Sequence, residues 1–357
     1  MCGARPIIRE HAPALRAAAV SVCAAACDNR ALIQDSQLKG MHLKPAPRLL
    51  ACLLLALIGN ALAANTARAA SEDTPIVSKE SLYNNIYVYR RGPYVSLTFG
   101  HNRTIYTESV CNTWDELELP VRYTQYMTVG LAYLPEVHAI LEIGFGGGRT
   151  SWYLHRTLPQ VAVTTVELDP AVIEISKQYF GIKEEHNFHV QNDDGRLFLT
   201  KSKEHFDMIM LDAYRGPFVP FHLLTKEFYL VVKQHLQPGG VIVQNIEPST
   251  MLFDSSVATI GSVFANLEFY RAEGNIVVVA YDGAARDPRR LFETAQAHDA
   301  AWHPRYHLAE LLGIRQPYAT VRQALSPTAK VLTDDFAPVE YLKAIENHNR
   351  KWPSVKQ

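Results

Sequence analysis

The sequence predicts an α/β fold: a doubly wound sheet preceded by a small antiparallel one. Three observations carry this. An apolar run, Ala139-Ile-Leu-Glu-Ile143, breaks into a turn holding Gly144, Gly146, Gly147 and Gly148, and a helical segment starts near Thr150. A second apolar run from Val161 ends in an acid, Glu167, about 20 residues after that turn. Strand-like and helix-like segments then alternate, with Asp194 and Asp212 at or just after strand ends. Strand, glycine turn and helix let backbone N–H groups and bare Cα atoms approach a nucleotide-like ligand, and an acid at that spacing can meet a ribose diol. Taken singly, each acid can equally be a helix cap or a loop acid.

The chain of 357 residues is long enough for one large domain or two smaller ones. It carries 35 basic and 36 acidic side chains, interspersed, for a formal charge of −1, so no nucleic-acid partner is expected. Four of the five cysteines (Cys2, Cys23, Cys27 and Cys52) precede residue 60, which leaves Cys111 alone in the main fold and excludes a disulfide framework there. Cys23 and Cys27 lack a matching pair, and His222, His303 and His307 have no zinc spacing, so no metal is expected.

Residues 1–40 are rich in alanine and arginine and read as an over-called start or a disordered lead. From Met41 a short basic region, an apolar block from Leu49 to Ala63 and small-x-small sites at Ala61-Leu-Ala63 and Ala67-Arg-Ala69 have the layout of a secretory signal peptide over 41–70. A periplasmic or secreted location is therefore expected, with an uncleaved membrane anchor or a cytoplasmic protein as alternatives. Membrane contact is expected only through that segment. Next, Tyr83 to Arg90 and Pro93 to Phe99 alternate apolar and polar residues, and Arg103 to Tyr106 reads as a third strand, giving a small antiparallel sheet within 72–118. Its tyrosines read as strand-packing aromatics, with a place at a site mouth as the alternative. A helix is expected over Leu119 to Tyr133, with Tyr123, Met127 and Leu131 at helical spacing.

In the core, taken as 119–282, Asp169 is the expected N-cap of a helix opened by Pro170 and running to Tyr179. A short strand at Phe188 to Gln191 leads to Asn192-Asp-Asp-Gly-Arg196 and a helical Leu197 to Leu199. Phe206 to Leu211 is a buried strand ending at Asp212. A loop from Ala213 to Leu224, a helix from Thr225 to Leu236 and a strand from Val241 to Asn245 follow Asp212 in turn. Residues 283–357 read as a helical extension in which Asp334 and Asp335 cap helices, with an approach to the site from outside as the alternative.

Residues from about 82 to 282 resemble the polyamine aminopropyltransferases, of which spermidine synthase is the type. The matching text is Leu141-Glu-Ile-Gly-Phe-Gly-Gly-Gly148, Val166-Glu-Leu-Asp-Pro170, Asp194-Gly-Arg-Leu-Phe198, Phe206-Asp-Met-Ile-Met-Leu-Asp212 and Leu224-Thr-Lys-Glu-Phe-Tyr229. The resemblance implies a Rossmann-like class I methyltransferase fold behind a small N-terminal sheet. It implies that Glu142, Gly144, Gly146, Gly148, Glu167, Asp194 and Gly195 bind decarboxylated S-adenosylmethionine or S-adenosylmethionine. Within that set Glu167 would bind the ribose and Asp194 the adenine amine. Asp212 would be the catalytic base, with Tyr123 near the transferred group. A small amine would be the acceptor; a homodimer is left open. The chain departs from the family at three places. Gly147 stands where an aspartate usually grips the aminopropyl amine, Arg215 where a second acid follows the catalytic one, and Thr124 where a histidine follows the tyrosine. Bacterial spermidine synthase-like proteins, some fused to transporter-like membrane domains, share the text after Asp212.

Such residues suit displacement of methylthioadenosine by an amine: a carboxylate accepts the amine proton, and carboxylates offset the sulfonium charge. Glu142 begins a Glu-x-Gly-x-Gly-x-Gly motif also common in S-adenosylmethionine methyltransferases, which is the second reading. A non-catalytic exported protein that keeps the fold is the third.

Overall fold

The computed structural model describes residues 74–100, 107–215, 218–250, 252–327 and 329–335. The expected signal segment, the strand at 103–106 and the end of the C-terminal extension lie outside these residues.

The small sheet has four strands in sequential antiparallel order: β1 (Val77–Glu80), β2 (Asn85–Arg91), β3 (Tyr94–Phe99) and β4 (Thr107–Asn112). Of these the sequence predicts β2 and β3; β1 is too short to show a clear alternation, and β4 begins just after the expected strand at 103–106. Ile86, Val88, Val95 and Leu97 point inward and are fully buried, as the period-2 geometry of strands requires.

The main sheet holds eight strands: β5 (Ala139–Ile143), β6 (Ala162–Glu167), β7 (Phe188–Asn192), β8 (Phe206–Leu211), β9 (Leu236–Ile246), β10 (Asn266–Ala272), β11 (Asn275–Tyr281) and β12 (Gln316–Pro317). Their order is β12-β10-β11-β9-β8-β5-β6-β7. The run from β9 to β7 is parallel, while β11, β10 and β12 pair antiparallel. From β5 the chain first builds outward through β6 and β7, then returns to β8 on the other side. That reversal between β5 and β8 is where a parallel sheet opens a crevice at its carboxyl edge. The α/β fold and the small leading sheet are as the sequence predicts.

Both faces of the main sheet are covered. Ile140, Met208, Met210, Val241 and Val243 join one apolar cluster, and Leu141, Ile143, Ile209, Leu211 and Ile242 join the other. The expected helix over 119–133 is split into α1 (Arg122–Met127) and a 3₁₀ segment (Thr128–Tyr133). The tighter segment brings Gly130 onto the sheet, where an added Cβ would lie 2.4 Å from the Val243 side chain. The later helices are α2 (Arg149–Thr157), α3 (Pro170–Tyr179), which begins at the Asp169 cap the sequence predicts, α4 (Gly195–Lys201) and α5 (Lys226–Gln234). A helix α6 (Phe253–Val263) and the β10–β11 hairpin follow. The final stretch is only partly helical. After α7 (Pro288–Trp302) and α8 (Leu308–Leu311), β12 adds to the sheet edge beside β10 and precedes α9 (Tyr318–Arg322). Among the described residues no helix is long and apolar enough to cross a membrane.

Candidate active site

A hollow of about 980 Å³ opens at the carboxyl ends of β5, β6, β8 and β9, at the upper end of the volume usual for small-molecule sites. Its floor is the turn after β5. Gly144 adopts φ +94°, and an added Cβ would lie 2.4 Å from the Asp212 carbonyl oxygen. Only glycine lets the ends of β5 and β8 approach this closely. The Gly144 N–H donates to the Val166 carbonyl at 2.9 Å, tying the turn to β6 as well.

Glu167 fastens this corner. Its Oε2 accepts from the Phe145 N–H at 3.1 Å and its Oε1 from the Asp169 N–H at 2.8 Å. Burial pushes its carboxyl above the usual range, and the backbone N–H groups around it pull the other way. Asp169 is buried and caps α3, accepting from the Ala171 N–H at 2.9 Å. Its second oxygen accepts from Ser81 and Asn84, which ties the small sheet to the start of α3. Ser109 on β4 does the same for the turn by accepting from the Gly147 N–H at 2.8 Å.

Asp194 caps α4 with one oxygen, accepting from the Arg196 and Leu197 N–H groups at 3.0 Å each. Its other oxygen meets His222 Nε2 at 2.8 Å, and this contact holds the carboxyl below its usual range. Gly195 follows directly; an added Cβ there would lie 2.3 Å from Ile143. Arg196 donates two hydrogen bonds to Asp334, at 2.8 and 2.5 Å. Asp334 is thus a partner for the first turn of α4 and caps no described helix. This corrects the preferred expectation of a helix cap and agrees with its alternative, an approach from outside, because the segment around Asp334 folds back onto α4.

Asp212 is held differently. The Tyr123 hydroxyl donates to its Oδ2 at 3.1 Å and Asn245 Nδ2 donates to its Oδ1 at 2.9 Å. Asn275 Nδ2 donates to the Asn245 Oδ1 at 2.9 Å, which fixes the orientation of the Asn245 amide. The Tyr214 hydroxyl donates to the Asn245 carbonyl at 3.0 Å and accepts from the Glu247 N–H. Burial raises the Asp212 carboxyl to about 7, and the two side-chain hydrogen bonds restrain that rise. A carboxylate with this value takes up and gives back a proton near neutral pH. The same burial pushes the Tyr123 hydroxyl well above its ordinary value, so Tyr123 acts here as a donor and not as a base.

Gly144, Gly146, Glu167, Asp194, Gly195, Asp212 and Tyr123 all line the hollow. Glu142 and Gly148 do not. The pleat turns Glu142 away from the sheet face of Leu141 and Ile143. It is 2 % exposed, accepts from the Ser151 hydroxyl of α2, and borders only a void of about 20 Å³ behind Tyr123 and Asp212. Burial, then the charges of Asp212 and Glu167, push its carboxyl well above the usual range. Gly148 is the N-cap of α2, under the Phe145 ring. Neither can touch a ligand in the hollow as it stands. Gly147 is also buried, and a side chain there would meet Phe180 at 2.5 Å, so the packing leaves no room for an aspartate. Sequence reasoning missed Asn245, Asn275, Ser109 and His222 as site residues. Only Asn245 left a trace, as a polar residue ending an apolar strand. Among the described residues no group of histidine, cysteine or acidic side chains is arranged to hold a metal.

Residues 122–274 match the Spermine/spermidine synthase domain family. A polyamine aminopropyltransferase of Vibrio vulnificus is 29 % identical over 280 residues, which cover 76 % of this chain and 92 % of that one. An eEF1A lysine and N-terminal methyltransferase homologue of Drosophila pseudoobscura is 32 % identical over 152 residues, covering 40 % of this chain but 23 % of that protein. Among solved structures, a probable spermidine synthase from Corynebacterium glutamicum superposes with a TM-score of 0.60 at 21 % identity, covering 74 % of this chain and 99 % of that one. That likeness concerns the fold. The relatives on both sides are named as transferases, and residues 122–274 of this chain are similar to the spermine/spermidine synthase domain, carried on a methyltransferase-like Rossmann fold.

Proposed function

We propose that the chain transfers an aminopropyl group from decarboxylated S-adenosylmethionine to an amine. The observation that carries this reading is Asp212: a carboxyl raised to about 7, aimed into the hollow between Tyr123 and Asn245, directly beside the glycine turn. The Glu167 side chain and the turn offer the ribose side of a nucleoside an acceptor and a close backbone. Asp194 and His222 border the far end, where an adenine edge would lie. Asp212 accepts the proton that the attacking amine sheds. The amine lone pair forms the new C–N bond, the C–S bond breaks, and its electrons return to sulfur, which leaves as neutral methylthioadenosine. Glu167, Asp212 and the other acids of the hollow favour binding of the cationic cosubstrate. Holding amine, carbon and sulfur in line supplies much of the remaining rate.

Methyl transfer from S-adenosylmethionine is the second reading, favoured by the absence of room for an acid at Gly147. Calorimetric titration with decarboxylated S-adenosylmethionine, methylthioadenosine, S-adenosylmethionine and S-adenosylhomocysteine separates the two. Preference for the first pair, with methylthioadenosine released on adding an amine, supports aminopropyl transfer. Preference for the second pair supports methyl transfer, and no binding of any of the four favours a protein that has kept only the fold. Export through residues 41–70 is likewise our reading. Sequencing the N-terminus of the mature protein tests it, and an intact cytosolic chain beginning at Met1 would refute it.

A further inference from the structure

We infer that the acceptor is a zwitterion, an amine joined by a short chain to a carboxylate, and that Arg215 selects it. This rests on the aminopropyl-transfer reading and names its substrate class.

The hollow divides along the strand order. Gly144, Glu167 and Asp194 follow β5, β6 and β7 and make one half. Asp212, Asn245, Glu247 and Asn275 border the other half, on the side of β8, β9 and β11, with Arg215 three residues beyond Asp212 on the same rim. Asp212 stands at the junction. A nucleoside in the first half leaves the second half for the acceptor, with its nucleophilic nitrogen at Asp212.

The acids of the first half are engaged by the fold. Glu167 binds two backbone N–H groups, Asp169 caps α3, and Asp194 caps α4 and meets His222. Arg215 differs. Its main chain is anchored by its N–H donating to the Phe218 carbonyl at 2.8 Å, but among the described residues no carboxylate lies within ion-pair reach of its guanidinium. It is exposed on the hollow side of the rim. A guanidinium in that position offers a planar fork of donors that a carboxylate matches with two hydrogen bonds. For a diamine the same residue presents a like charge to the distal ammonium, which disfavours binding. Amine at Asp212 and carboxylate at Arg215 is therefore the complementary pairing. The transfer keeps its balance: the acceptor nitrogen gains the aminopropyl carbon, sulfur recovers the C–S electron pair, the amine proton passes to Asp212, and the acceptor carboxylate is unchanged.

The test compares 4-aminobutanoate with 1,4-diaminobutane, which share chain length and differ at the far end. Each is titrated by calorimetry into the full chain loaded with methylthioadenosine, and each is assayed for methylthioadenosine release from decarboxylated S-adenosylmethionine. The expected result is binding of the amino acid about ten- to a hundredfold tighter than the diamine. Arg215→Glu should reverse that order, and Arg215→Lys should retain part of it. Tighter binding of the diamine by the unaltered chain, or an unchanged preference in Arg215→Glu, overturns the proposal. If the amino acid binds in an Arg215-dependent way without release of methylthioadenosine, the acceptor assignment stands and the aminopropyl reading falls. Turnover with the diamine alone has the opposite meaning. Binding of neither compound overturns the acceptor assignment.

Discussion

Glu167 and Asp212 are two acids at the rim of one hollow, each at or just after the carboxyl end of a strand, β6 and β8, with β5 between them. Burial raises both carboxyls. What differs is the company each keeps. Glu167 accepts from main-chain N–H groups of its own corner, so its carboxylate is part of the fold. Among the described residues Asp212 accepts only from the side chains Tyr123 and Asn245, drawn from α1 and β9. An acid held by the main chain is suited to a fixed ligand contact. An acid held by two neutral side chains in a desolvated place can change its protonation state without disturbing the backbone.

The contrast can be broken most sharply at Asp212. Asp212→Asn should lower kcat by about 10²- to 10⁴-fold, the range for loss of a general base, while methylthioadenosine affinity stays within twofold of the unaltered chain, about 0.4 kcal/mol. A steady-state assay and a titration on the same preparation read both. Next comes the turn that keeps the two acids apart. Gly144→Ala adds a Cβ at φ +94° against the Asp212 carbonyl, and should cost roughly 2–4 kcal/mol of stability through strain and overlap. A fall in Tm together with lower activity is expected; an unchanged Tm would mean the turn is less closely packed than described. Glu167→Gln should weaken nucleoside binding by about tenfold, as a charge-assisted contact becomes a neutral one, and should leave the pH dependence of kcat in place.

The pH behaviour sharpens the same contrast with a smaller signal. Activity should rise as Asp212 ionises through about pH 7. Stability moves the other way. The folded carboxyl sits above its unfolded value of roughly 3.9, so its contribution is fully present below about pH 4 and is lost as pH rises through about 7. The unliganded Asp212→Asn protein should therefore melt higher than the unaltered chain at pH 8, with the gap closing below about pH 4. Equal melting at both values would remove burial as the cause. The smallest effect is expected at Asn275, which touches Asp212 only through Asn245. Asn275→Ala should shift the midpoint of the kcat–pH profile by less than about one unit and leave KM for the cosubstrate alone.

Much of this is legible in the amino-acid sequence. Apolar runs bounded by glycine and proline marked the parallel strands. Asp169 before Pro170 announces its cap, because a cap involves only its own residue and the next three; Asp194 is open between a cap and a ligand contact. Hairpin β10–β11 is not legible in the sequence, although Glu273-Gly274 separates two apolar runs, because period alone does not separate a strand from a helix in runs this short. Asn275 was invisible for a related reason. Its place beside Asn245 depends on the register of β11 against β9, where Val277 faces Asn245, and register is a property of two paired strands together.

Local order along the chain thus sufficed for the strands, the glycine bend and which acids follow each strand, since these depend on neighbours a few residues away. The division of labour among the acids did not. Glu142 opens the motif most associated with the cosubstrate, yet the pleat turns it under α2 to Ser151. Gly147 is closed off by Phe180, and Asp334 returns from more than a hundred residues away to Arg196. Those outcomes rest on which surfaces pack together, and packing brings together residues whose distance along the chain carries no information about their contact.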